Sequence, residues 1–345
     1  MENLYQINYT DRTRMNIQDT KKIEELISDF SHESYLRRDK AVIELAAFGE
    51  AAILPLITTF SSDSTWASID GHMALVQIGE KAIPALLDSL SDSDIHTRYW
   101  SACTLGDIKD ERAVVPLLEA FTNELTSKVR RSIIGALGKI GDKRAIKALI
   151  QAFQDDDSFV RSGVAMALGH FADQEAIIVL IPKLEDEDNF VRLKSADALG
   201  KIGDSQAIAP LITALSKEKE IEVSYAIVRA LGQFKGNSQV VETLLPLLKN
   251  PAYDSNLRCE VALALGKLGD IQAVPLLIQT LRDKDYNVRY WCIEALGQLG
   301  DKRALPTLTH IKEKEKWGFV DREESFYPAN KAADEAIKLI LQKEV

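Results

Sequence analysis

Twice in this 345-residue sequence an arginine is followed directly by two aromatic rings, Arg98-Tyr99-Trp100 in RYWSACTLGDIKDERAVVPLL and Arg289-Tyr290-Trp291 in RYWCIEALGQLGDKRALPTL. Large rings on a solvated face do recognition chemistry, stacking on flat ligands or anchoring a partner. Trp66, Phe159, Phe190, Tyr225 and Tyr286 occupy comparable places, so these nine rings form the candidate binding set. Other chemistry is thin. The five histidines (His32, His72, His96, His170 and His310) are scattered without metal-ligand spacing, and no metal site is expected. Cys103, Cys259 and Cys292 lack Cys-x-x-Cys spacing, which argues against a disulfide framework and a structural zinc site. Neither a nucleophile elbow nor a phosphate loop nor a dinucleotide fingerprint occurs, so no catalytic residue and no resident cofactor is assigned.

The elements that position these rings follow from a repeat. A Leu-Gly pair recurs with its glycine at 106, 138, 169, 200, 232, 266 and 297, and successive spacings are 31 to 34 residues. Degenerate copies around Gly49 and Gly79 bring the count to nine, over roughly residues 35 to 310. A period of this size containing two helical patterns means stacked helical hairpins. Counted from the arginine of each Val-Arg pair, apolar residues fall at −1, +3, +4 and +7, as in Val160, Val164, Ala165 and Leu168, one stripe of a helix. Positions −3, −2, +1, +2, +5 and +9 lie opposite that stripe, and they carry the rings. Small residues at +4 and +8 imply close approach of neighbouring helices. The second glycine of each unit, as in Gly141, suits a left-handed cap, the following aspartate can cap the next segment, and Pro84, Pro116, Pro210, Pro275 and Pro306 mark where that helix begins.

Charges that recur once per unit read as framework. Arg38, Arg98, Arg130, Arg161, Arg192, Arg258 and Arg289 are expected to bond carboxylates or carbonyls between neighbouring units rather than to read phosphates. The units centred on Ser68 and Ser224 lack this arginine. The acidic runs Asp155-Asp156-Asp157 and Glu185 to Asp188 fall in turns, where capping accounts for them.

The pattern VRxxAxxALGxIGDxxAxxxLI resembles the HEAT-like repeats of the phycobilisome lyase type, also the consensus behind the alphaRep artificial proteins. The resemblance implies an all-α, right-handed α-solenoid of about nine HEAT-like hairpins, with the Val-Arg helices lining a concave binding surface. Its main functional implication is a non-catalytic scaffold or chaperone gripping a protein partner on that face. The two Arg-Tyr-Trp segments are similar to E/F-type phycobilin lyases, which implies an alternative: a lyase-like protein handling an open-chain tetrapyrrole for attachment to phycobiliprotein cysteines. The bilin would then be a transferred ligand, stacked by Tyr99, Trp100, Tyr290 and Trp291, with Asp70, Asp107, Asp197 and Glu294 available to its pyrrole nitrogens. Deoxyhypusine hydroxylase, a HEAT-repeat enzyme marked by several His-Glu pairs, is excluded because only His32-Glu33 occurs here.

Composition sets the remaining limits. A net charge of −10 argues against a nucleic-acid partner. Residues 1–20 lack the apolar stretch of a signal peptide, and the longest apolar run is Ile177 to Ile181, so no membrane insertion and a cytoplasmic location are expected. Residues 1–18 are expected to be a flexible arm or partial cap, 19–311 the solenoid, and 312–345 a capping hairpin with a long loop. In that loop Trp317, Phe319, Phe326 and Tyr327 either plug the core or extend the binding surface.

Overall fold

The computed structural model describes residues 17–171, 173–315, 318–320 and 326–342. Helix Ile17–Ser28 opens the described chain, and nine hairpins follow it. Their first helices are Tyr35–Phe48, Thr65–Ile78, Ile95–Ile108, Ser127–Ile140, Ser158–Phe171, Asn189–Ile202, Ile221–Leu231, Ser255–Leu268 and Tyr286–Leu299. These carry the Val-Arg register. Shorter or more irregular second helices return the chain: Glu50–Thr58, Ile83–Asp88, Val114–Asn123, Ile146–Gln151, Gln174–Leu180, Ile208–Lys217, Ser238–Lys249, Val274–Thr280 and Leu305–Lys314. Contacts divide the chain into two compact units, Met1–Ala167 and Leu168–Val345, with the boundary inside helix Ser158–Phe171. Within each unit the first helices pack on one another in one layer, and second helices form another. The expected arm, residues 1–18, lies outside the described residues except for Ile17 and Gln18, which already belong to the opening helix.

The stripe read from the sequence is the core. Val160, Val164, Ala165 and Leu168 are fully buried, and their counterparts in other hairpins are buried with exceptions such as Arg37 in the first. The small residues have a more specific reason than expected. An added Cβ on Gly138 would stand 2.9 Å from the Cα of Ala167, and Gly106 meets Ala136, Gly200 meets Ala230 and Gly232 meets Ala264 in the same way. The glycine at +8 therefore seats against the alanine at +6 of the next hairpin, so the alanine of each Ala-Leu-Gly triplet sets the interhelix distance. Gly141 ends its helix at φ 76° with its N–H donated to the Leu137 carbonyl, whereas Lys109 takes the equivalent left-handed place at φ 60° despite its side chain. Asp110, Asp142, Asp204, Asp270 and Asp301 each accept the backbone N–H two residues on, and so cap the next segment.

The arginines clasp neighbouring hairpins. Arg98 donates to the Asp92 and Ser93 carbonyls of its own entry turn and, through Nε and Nη2, to both Glu124 oxygens in the next turn at 2.7 and 3.1 Å. Arg130 repeats the arrangement with Asp155 and Arg192 with Glu218, whereas buried Arg258 reaches Asp283 through Nη1. Burial works against the charged Glu124 carboxylate, yet Arg98 and the Thr126 N–H hold it below the ordinary glutamate range. Where the pattern lapses, neighbours take over. The turn after Arg38 offers Ser62 in place of an acid, and Arg38 instead pairs with Asp70 at 3.1 Å. In the Ser224 hairpin the Tyr225 hydroxyl donates to Asp254 at 2.6 Å.

At the C-terminal end, Gly318–Val320 and Phe326–Pro328 pair as a two-stranded antiparallel ribbon before helix Ala329–Gln342. No sheet was expected. Aromatic and β-branched residues flanking the polar run Asp321 to Ser325 favour strands here over a plain loop. The ribbon packs against the last long helix and the closing helix, and Gly297 seats on Ala336 of that closing helix. The side chains of Trp317, Phe319, Phe326 and Tyr327 lie outside the described residues.

Candidate functional site

The predicted rings are all more exposed than the stripe residues at −1 and +7, but they do different work. Trp66, Phe159 and Phe190, all at position −2, are 56% exposed, and Tyr286 is also exposed. Trp66 lies under the Arg38 guanidinium at 4.4 Å. The two Tyr-Trp pairs share one geometry, ring edge against ring face, with centroids 5.3 Å apart for Tyr99 and Trp100 and 5.5 Å for Tyr290 and Trp291. Trp100 also stacks on buried Phe60 and tilts against His72, so it folds back onto the preceding hairpin. Tyr225 is half-buried, and its hydroxyl is occupied by Asp254.

Tyr99 and Phe159 are brought together. They wall a cleft of about 600 Å³ in the first unit, formed by helices Ile95–Ile108, Ser127–Ile140 and Ser158–Phe171. Its apolar surface includes Cys103, Ala136 and Met166, and Gly135 lies on the middle helix between the walls. Three cations line it: Lys128, Arg131 and Lys139. Lys128 stands 4.8 Å over the Tyr99 ring and Arg131 lies 5.8 Å from the Phe159 ring. Neither has an ion-pair partner among the described residues. Lys139 is tied to Asp107 at 2.7 Å, which also faces His72 at 3.3 Å. Asp157 at the rim is committed, accepting the Phe159 N–H.

The proposed carboxylates fare less well. Asp70 is a correction: it is 6% exposed and paired with Arg38, so it is a joint residue closed to a ligand. Asp107 is bound to Lys139 and His72, and Asp197 stands 3.6 Å from Arg229. Glu294 is half-buried, and burial and nearby Glu335 push its carboxyl above the usual range. Cys259, placed by its register on the variable face, is buried, and its thiol is pushed up to about 12. Burial likewise pushes the Cys103 thiol up to about 11, although Tyr99 hydrogen-bonds it, so at neutral pH the cleft holds a thiol and no thiolate nucleophile.

Lys128, Arg131 and Lys139 went unread in the sequence. They occupy positions −2, +1 and +9, all variable-face positions, and lie at i, i+3 and i+11 of one helix. That spacing is the signal that finds them, because it sets three positive charges on one stripe within a chain whose total charge is negative.

A family model for HEAT repeats matches six overlapping windows running from residue 72 to residue 323. Phycocyanobilin lyase subunit beta of Nostoc is 38% identical over 100 residues, which are 29% of this chain and 50% of the relative. Phycocyanin alpha phycocyanobilin lyase CpcF of Synechocystis is 31% identical over 124 residues, 34% of this chain and 56% of that protein. The chain thus spans about half the length of these relatives. Among solved structures, importin beta superposes with a TM-score of 0.57 at 15% identity, over 94% of this chain and 50% of that one, a likeness of fold alone.

Proposed function

The chain belongs to the HEAT-repeat family, and from that premise we propose that it is a tetrapyrrole-handling protein of the phycobilin lyase type, holding an open-chain tetrapyrrole in the cleft between Tyr99 and Phe159. The observation that carries this reading is the cleft itself: two aromatic walls, an apolar floor and, at Lys128 and Arg131, cations without an ion-pair partner among the described residues. Such a ligand is a flat conjugated molecule bearing acid groups, and its body suits the rings while its acids suit the cations. A volume near 600 Å³ lies in the range of small-molecule sites. The names of the relatives favour this reading over a non-catalytic scaffold.

The ligand would be held by the rings and cations, with the Cys103 thiolate disfavoured by burial, and would pass to a cysteine of a client, for which a phycobiliprotein is the fitting class. The client would meet the exposed ring of Trp66 in the unit that holds the cleft, in the cytoplasm. The test is an absorption titration with biliverdin. Binding should shift and sharpen its long-wavelength band, and the pair Lys128→Glu and Arg131→Glu should weaken binding at least tenfold, since each desolvated charge-assisted bond is worth roughly 1.5–3 kcal/mol. An unchanged spectrum with the wild-type protein would refute the reading.

A further inference from the structure

Glycine inside a helix is destabilising relative to alanine, so each such glycine requires a reason. Most of the helical glycines have one. Gly106 and Gly138 admit the next helix and Gly71 leaves room for the Thr59 hydroxyl, whereas at Gly163 an added Cβ would meet the Arg131 stem at ordinary contact, 3.4 Å. Gly135 is different. Among the described glycines it alone combines an ordinary φ with nothing within 4 Å of an added Cβ, so neither backbone conformation nor packing of this chain calls for it. It lies midway along helix Ser127–Ile140, at position +5, where the neighbouring hairpins carry Cys103 and Met166.

The surroundings say what the missing side chain serves. Gly135 falls on the stripe that carries Lys128, Arg131 and Lys139, so the helix offers two cations, a gap and a third cation. At 1.5 Å per residue the two sides of the gap, Arg131 and Lys139, are about 12 Å apart along the axis. Tyr99 and Phe159 flank the gap from the adjacent helices. We propose that Gly135 is the specificity-determining residue of this cleft, leaving open the place where the flat conjugated body of a doubly acidic ligand lies while its acid groups reach the cations on either side. The proposal rests on the tetrapyrrole reading and gives it a steric filter: a side chain at 135 would stand where the ligand's face must go.

Two variants test it, Gly135→Ala and Gly135→Leu, each titrated with biliverdin by absorption and melted by circular dichroism. Alanine should raise the melting temperature and weaken biliverdin about tenfold, opposite signs that a purely structural role would not produce. Leucine should abolish binding over the titratable range while the helical spectrum is retained, and should leucine fail to fold, the alanine variant decides alone. Both variants binding within twofold of wild type would overturn the assignment while the tetrapyrrole reading stands. No spectral change with wild type would instead overturn the reading and this proposal with it.

Discussion

Gly138 and Gly135 sit three residues apart in one helix, and the structure demands opposite outcomes for alanine at the two. At 135 the methyl enters open space. At 138 it would stand 2.7 Å from the Ala167 Cβ and 2.9 Å from its Cα, where ordinary contact begins near 3.4 Å. Ala167 is 3% exposed and the methyl would meet its backbone as well as its Cβ, so the two helices must separate by roughly 0.7 Å. Overpacking of this kind costs about 1–3 kcal/mol, offset by about 1 kcal/mol of improved helix propensity. The expected net is a loss of about 0–2 kcal/mol for Gly138→Ala against a gain of about 0.5–1 kcal/mol for Gly135→Ala. Stacked repeats open locally, so amide hydrogen exchange across Ser127–Ala167 is the better assay, with urea melts by circular dichroism alongside. Slower exchange in Gly138→Ala than in wild type would refute the claim that this contact sets the spacing of the hairpins.

Tyr99→Ala and Trp100→Ala should separate recognition from framework. Tyr99→Ala should weaken biliverdin about thirtyfold with little change in melting, whereas Trp100→Ala should cost about 2 kcal/mol of stability, since its ring packs on Phe60 and His72. Equal melting temperatures for the two variants would sink the distinction. The carboxyls of Glu124 and Glu218 are held below the ordinary value of 4.5, so their clasps stabilise fully above that pH and are lost as pH falls through the depressed folded values. Acid melts below about pH 4.5 should therefore be shallower in Glu124→Gln, which should already be weaker at neutral pH. A variant that tracks wild type at every pH would remove the clasp from the account.

Much of the fold was legible because it is periodic. The stripe through Val160 and Leu168, the aspartate caps, the arginine joints and the closing helix Ala329–Gln342 all follow from local spacing. Spacing says which face is buried and leaves open what it meets. Hence the partner of the +8 glycine was missed, because the alanine at +6 faces it from about thirty residues away. Asp70 read as a surface carboxylate because its claim on Arg38 depends on Ser62, a lapse two turns back. Trp100 and Tyr99 are adjacent letters, yet only the position of Phe60 decides that one folds inward and the other walls a cleft. The cations of the cleft were overshadowed by an acidic total, and the ribbon by an insert that matches no repeat.

The clasp between Arg98 and Glu124 and the seat of Gly106 on Ala136 both join consecutive hairpins and reach no further. Shape and recognition are therefore inherited separately along this chain. The arginine clasps and glycine seats that hold one hairpin to the next are nearly the same along the chain, so a change at positions −2, +1, +5 or +9 leaves those clasps and seats as they were and rewrites only the outer pairs, such as Tyr225 with Asp254 or Lys139 with Asp107. Three successive hairpins suffice to compose a site, and a new ligand could be accommodated by rewriting four positions in each while the scaffold beneath keeps its spelling.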